Sequence, residues 1–163
     1  DILKMPDRTG VPEYRILRPL PNRNHPYKRT LSYAVETEPN IWAVVYYLSG
    51  EPWMSRPPRL GSRALLYVPH LSSDAELREE TWLRQLIQEE AGVPCFACDP
   101  RGIGESMPNT CGVDFWDPYG PDYFYAAHSL MLDRPYVGQK TFDILRVLDW
   151  LAEGYQRELH EDS

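Results

Sequence analysis

Two carboxylates, a guanidinium and a hydroxyl fall within nine residues, Cys98-Asp99-Pro100-Arg101-Gly102-Ile103-Gly104-Glu105-Ser106. Gly102 and Gly104 allow a left-handed backbone there, so the polar groups can fold into one tight corner. Asp99 and Glu105 are expected to hold Arg101 in a paired, hydrogen-bonded turn. Ser106 invites reading as a nucleophile, but it stands in G-x-G-E-S rather than G-x-S-x-G and has no histidine near it in sequence. A loop-shaping serine is the expected role. A phosphate cradle at Gly102-x-Gly104 is poorly supported, because the third glycine and a lysine are missing.

Other chemistry-bearing side chains are more scattered. Cys98 and His128 would make a thiol–imidazole pair if the fold joined them, yet nothing near Cys98 would lower its pKa. The four histidines, His25, His70, His128 and His160, form no cluster with Cys95, Cys98 or Cys111, so no metal centre or cofactor is expected. Asp114, Asp117 and Asp122 lack the D-x-D-x-D-G spacing of a calcium loop. Trp116, Tyr119, Tyr123, Phe124 and Tyr125 are the densest aromatic group, readable as a packing cap or as a platform beside a cleft. Three cysteines leave open whether Cys98 and Cys111 are bridged or all three are buried thiols.

The elements that must position these groups follow from periodicity. Residues 1–29 are polar, with Pro6, Pro12, Pro19, Pro21 and Pro26, and read as an irregular arm. Residues 30–38 alternate, with Leu31, Tyr33, Val35 and Thr37 on one face, and predict a half-buried strand. Glu38-Pro39-Asn40 is turn chemistry leading into the apolar run 41–48, so the two strands make an antiparallel hairpin. Ala64 to Val68 is a continuous apolar run of the kind found in buried parallel strands.

A helix follows, capped by Asp74, with Leu77, Leu83, Leu86 and Ile87 at helical spacing and Gly92 as its stop. Cys95 to Cys98 is the next strand, which completes a βαβ unit and puts the glycine loop at the carboxyl end of a parallel strand. Open α/β sheets usually bind ligands at that edge. Residues 121–132 and 137–154 predict two more helices, the second striped by Phe142, Leu145, Leu148 and Leu151, with Gly154 ending it.

The chain of 163 residues is 42% apolar and carries a net charge of −7 spread along its length, which is ordinary globular composition. It has no basic footprint for nucleic acid and no polybasic membrane patch or apolar run long enough to span a bilayer. It starts Asp1-Ile2 without a leader and reads as a processed product or an expressed segment.

The strand ending in D-x-R-G-x-G-E-S resembles the fourth strand of an α/β-hydrolase and its loop. More narrowly, Leu130-Met131-Leu132-Asp133-Arg134-Pro135 with Phe142-Asp143-Ile144-Leu145-Arg146-Val147-Leu148-Asp149-Trp150-Leu151 resembles the acetylxylan esterase and dienelactone-hydrolase-like branch. The resemblance covers about residues 30–155, leaving 156–163 as a polar tail. It implies an α/β fold built as a partial hydrolase sheet: an N-terminal antiparallel hairpin plus a parallel βαβ unit, with helices on both faces.

It also implies a serine carboxylic-ester hydrolase acting on acetyl or related esters, without a cofactor. In that family Ser, Asp or Glu, and His follow in that order after the 137–154 helix. The chain instead continues Gln156-Arg157-Glu158-Leu159-His160, so none of the three is assignable and the nucleophile strand is absent. What the resemblance does place here is an oxyanion-side loop at His70, Leu71 and Ser72, where Leu71 stands for the family's glycine. The bland alternative for that loop is a turn that caps the helix through Ser73 or Asp74.

The cleft loop would comprise Asp99, Arg101, Gly102, Gly104, Glu105 and Ser106. The open edge of strand 64–68 and the stripe of Phe142, Leu145 and Leu148 are then expected to be covered, by the remainder of the hydrolase domain or by a second copy of the chain. Location in the cell is left open, although such esterases are often exported. A non-catalytic binding or scaffold module is the competing expectation.

Overall fold

A computed structural model describes residues 2–17, 19–50, 61–108 and 122–161. Six strands form one sheet in the order β1-β3-β4-β6-β5, with β2 also paired to β3. The hairpin of β3 (Arg29–Glu38) and β4 (Ile41–Ser49) is its spine. Asn40 takes φ +64° at the turn and donates its backbone N–H to the Glu36 carboxylate at 2.8 Å. Asparagine tolerates that left-handed conformation better than most residues. A register shift between Glu36 and Glu38 marks a bulge beside the turn.

β6 (Cys95–Asp99) lies antiparallel to β4 and parallel to β5 (Leu65–Tyr67), which forms one edge of the sheet. Two-residue alternation then sorts the core. Leu31, Tyr33, Val35, Val45, Phe96 and Cys98 face a helix that supplies Val147, Trp150 and Leu151. Tyr46, Leu48, Cys95 and Ala97 face Leu77, Leu83 and Ile87 on the other side. Helices therefore cover both faces of an α/β sheet. Each of these large side chains stabilises the fold by about 1.5–3 kcal/mol when fully buried.

Several sequence expectations change. The arm at 1–29 is not wholly irregular, because β1 (Tyr14–Ile16) and β2 (Leu20–Pro21) both pair antiparallel with β3. The strands are too short to give a periodic signal. The first helix is two, α1 (Ser73–Glu79) and α2 (Thr81–Glu89), broken at Glu80 with ψ 104°. Six residues put Leu83 about 120° around a continuous helix from Leu77, and the break brings both onto the same buried cluster. Ser72, not Asp74, is the N-cap, and its side chain accepts the Ala75 N–H. Leu86, expected in the buried stripe, is 40% exposed.

After α3 (Tyr123–Met131), helix α4 (Tyr136–Glu161) passes through Gly154 without stopping. A helical glycine costs about 1 kcal/mol, less than the Val147, Trp150 and Leu151 face secures. The buried face of α4 is Phe142, Asp143, Arg146, Val147, Trp150 and Leu151, while Leu148 is 43% exposed. The expected leucine stripe is thus rotated, because an ion pair drags Asp143 inward and Trp150 takes the place beside Tyr33, ring centres 5.1 Å apart. Cys95 and Cys98 are free, buried thiols. Cys111, Asp114, Asp117, Trp116 and Tyr119 lie outside the described residues.

Candidate functional site

Asp99 ends β6 with no exposed surface, and the chain folds back over its carboxylate. One oxygen accepts the backbone N–H of Ser73 at 2.9 Å and the other that of Glu105 at 3.0 Å. Burial raises the Asp99 pKa, and those hydrogen bonds offset the cost only in part. Gly102 and Gly104 adopt φ +75° and +51°. A Cβ at Gly104 would fall on the Asp99 carboxylate, and one at Gly102 on the Tyr136 hydroxyl. Only glycine fits either position.

Ser106 donates its hydroxyl to the Asp99 carbonyl at 2.7 Å and accepts the Val44 N–H at 3.2 Å. Both bonds tie the corner to the sheet, as expected of a loop-shaping serine.

Arg101 does not pair with Asp99 or Glu105. It turns toward α4, where its backbone N–H, Nε and Nη2 reach the two oxygens of Asp143 at 2.9, 2.8 and 2.5 Å. Nη2 also donates to Glu38 at 2.7 Å, and Nη1 to Gln139 at 2.9 Å. Thr37 donates its hydroxyl to Asp143 at 2.6 Å, and Arg134 clamps Glu38 from outside at 2.8 Å. Asp99 was the closer partner in sequence, but its oxygens are spent on two backbone donors. A fork of five N–H groups needs more acceptors than that loop offers.

Burial on its own would lower the Arg101 pKa, but Asp143 and then Glu38 outweigh it and raise it. Burial likewise opposes ionisation of Glu38, and the two arginines overcome this to lower its pKa.

The loop at 70–72 sits against this corner, its Leu71 carbonyl accepting the Gly104 N–H at 2.9 Å. The structure thus brings both sets of candidate residues together at the carboxyl ends of β5 and β6. The N–H groups of His70, Leu71 and Ser72 nevertheless converge on the Glu76 carboxylate, at 3.1, 2.6 and 3.3 Å. The Tyr67 hydroxyl donates to the same group. Burial would raise the Glu76 pKa; the bonds from Tyr67 and the three amides lower it instead. The three backbone N–H groups that the loop could offer an oxyanion are therefore held by a side chain of α1, Glu76.

A cavity of about 470 Å³ opens beside the corner, lined among others by Trp42, Arg101, Ser106, His128, Tyr136 and Gln139. Cys98 does not reach it. Burial raises the pKa of that thiol far above neutral, and the residue has no exposed surface, so no thiol–imidazole pair forms with the exposed His128. Asp122 pairs with Lys140 at 3.2 Å. Among the described residues no group of His, Cys, Asp or Glu is arranged to hold a metal.

One polar relay escaped the sequence reading. His25 Nδ1 lies 2.6 Å from Thr30 Oγ1, and Nε2 lies 2.9 Å from Asp74. Hydroxyl, imidazole and carboxylate stand in the order of a catalytic triad. Thr30 is only 1% exposed, so no substrate meets its hydroxyl. A lone histidine between two prolines carries no signal for partners 5 and 49 residues away.

The chain matches no protein-family model and no curated protein. Among solved structures it is similar to a Bacteroides fragilis protein described as a "putative acetyl xylan esterase", at 17% identity and a TM-score of 0.56. The likeness covers 91% of this chain and 39% of that one. At that identity it shows a distant relationship of fold: this chain shares part of that protein's α/β architecture and spans well under half its length.

Proposed function

We propose that the chain is the N-terminal portion of a serine carboxylic-ester hydrolase acting on acetyl or related esters, and that it is inactive alone. The observation that carries the reading is the lopsided likeness, nearly all of this chain against 39% of the esterase-like one. The strand order β3-β4-β6-β5 supports it, because the glycine-rich corner then lies at the carboxyl edge of the sheet and β5 keeps a free side among the described residues. Two serines beside the corner are poor nucleophiles: Ser106 is bonded to the corner itself, and Ser73 is buried.

The chemistry would be acyl transfer to a serine, then hydrolysis of the acyl-enzyme by water. Serine, acid and histidine would come from further polypeptide or a second chain seated on the β5 edge. The present residues would supply the sheet, the 70–72 loop and the Arg101 corner.

A second reading, a hydrolase-like binding or scaffold module, is favoured by one contact. Glu76 occupies the amides that an oxyanion hole would need free. Hydrolysis of p-nitrophenyl acetate separates the two. The 163-residue chain should be silent, while the natural polypeptide should turn the ester over and lose activity to a serine-directed phosphonate. A silent natural polypeptide would leave the scaffold reading standing.

A further inference from the structure

We propose that Glu76 is an internal plug: its carboxylate fills a site for an oxygen anion built by Tyr67 and the 70–72 loop. The site takes a small carboxylate, or the oxyanion of a reacting ester, only when that side chain swings out. The geometry is that of an anion already bound. The Leu71 and Ser72 amides both donate to one carboxylate oxygen, at 2.6 and 3.3 Å, while the His70 amide at 3.1 Å and the Tyr67 hydroxyl share the other. Two amides converging on a single oxygen is the arrangement that stabilises a developing oxyanion. The donors come from β5 and the loop, and none belongs to α1 itself. The amides of Ser73, Ala75 and Glu76 are used elsewhere, on Asp99, the Ser72 hydroxyl and the Ser72 carbonyl.

Neutral donors alone hold Glu76 in place. Among the described residues it makes no salt bridge, whereas other acids of α1 do: Arg78 pairs with Asp74 at 3.3 Å and with Glu79 at 3.5 Å. Glu80, whose backbone N–H bonds the Glu76 carbonyl, brings a like charge close enough to act on the Tyr67 hydroxyl. Like charges four residues apart on a helix repel, which favours release of the Glu76 carboxylate into water. The way out is short. His70 is exposed and Leu71 is 66% exposed, so a departing side chain and an entering ligand both meet these amides from solvent.

The catalytic consequence rests on the ester-hydrolase reading above. The Leu71 carbonyl accepts the Gly104 N–H at 2.9 Å, so the site adjoins the Arg101 corner at the edge where open α/β sheets bind ligands. With Glu76 in place the amides are closed to an oxyanion, and with Glu76 swung out they are open. The contact that favours a scaffold is then a switch.

Acetate titration of the 163-residue chain, followed by the amide NMR signals of residues 70–72, tests the plug. Hydrolysis of p-nitrophenyl acetate by the natural polypeptide tests its consequence. A site open only about a tenth of the time loses about tenfold in apparent affinity. Glu76→Ala should therefore move those signals saturably, at about tenfold lower acetate than the wild type needs. Adding Tyr67→Phe should weaken acetate binding again. In the natural polypeptide Glu76→Ala should raise kcat by about the same factor with KM little changed, because the amides act on the oxyanion rather than on bound ester. No saturable acetate response in Glu76→Ala, an equal response in the wild type, or a folded variant with unchanged or lower kcat would each overturn the proposal. Should Glu76→Ala not fold, Glu76→Gln replaces it: its amide N–H groups oppose the donors around them, so both responses should keep their direction. A silent wild-type natural polypeptide would count against the ester-hydrolase reading alone, and the acetate titration would still decide the plug.

Discussion

At the scale of single residues, Asp143 is the acceptor on which the corner depends. It takes three N–H groups of Arg101 and the Thr37 hydroxyl with no exposed surface. Removing one partner of such a buried pair strands the other charge, at a cost of about 3–5 kcal/mol. Asp143→Ala should therefore lower Tm steeply, by about 2–4 °C per kcal/mol in a chain of this size, read by calorimetry. Arg101→Lys should be almost as harmful, because a lysine cannot reach Asp143, Glu38 and Gln139 at once. Sequence reading found Arg101 but not its partners: Glu38 and Asp143 lie 63 and 42 residues away, and hydrophobic periodicity says nothing about where a fork of donors points.

Glu38 gives the pH dependence its sign. Its pKa is lowered in the fold from 4.5, so its contribution is complete above that value and is lost as the pH falls through the folded one. Glu38→Gln should flatten the acid limb of a stability curve followed by circular dichroism, and an unchanged limb would contradict this.

Elements were legible where packing and periodicity agreed. The β3–β4 hairpin, β5, β6 and the approximate places of the helices were all visible in apolar alternation, continuous apolar runs or helical spacing. What stayed hidden was set by long-range geometry: β1 and β2 exist only because β3 offers them an edge, and the break at Glu80 only because Leu77 and Leu83 share one face of the sheet. The glycine corner was read correctly as backbone and incompletely as chemistry. Gly104→Ala should cost about 1–3 kcal/mol for its left-handed backbone, and more because the new methyl meets the Asp99 carboxylate. Gly50→Ala, with nothing near its Cβ and no left-handed φ, is the matched control in the same melting experiment.

For the whole molecule, the sheet leaves β5 with one side unpaired among the described residues, and Val68, Leu71, Trp82 and Leu86 near it are 38–66% exposed. An open edge flanked by apolar side chains tends to associate. On this account the isolated chain should self-associate in analytical ultracentrifugation, and charged replacements such as Trp82→Glu with Leu86→Lys should shift it toward monomer. A monodisperse wild-type monomer would count against a covered edge.

The central claim is that the reacting serine belongs to polypeptide beyond these residues. It is tested most directly by labelling the natural polypeptide with a fluorophosphonate and locating the adduct by peptide mass spectrometry. The account predicts one modified serine outside residues 1–163, with Ser106 unmodified. An adduct on a serine of this chain, or none anywhere in the natural polypeptide, would contradict it.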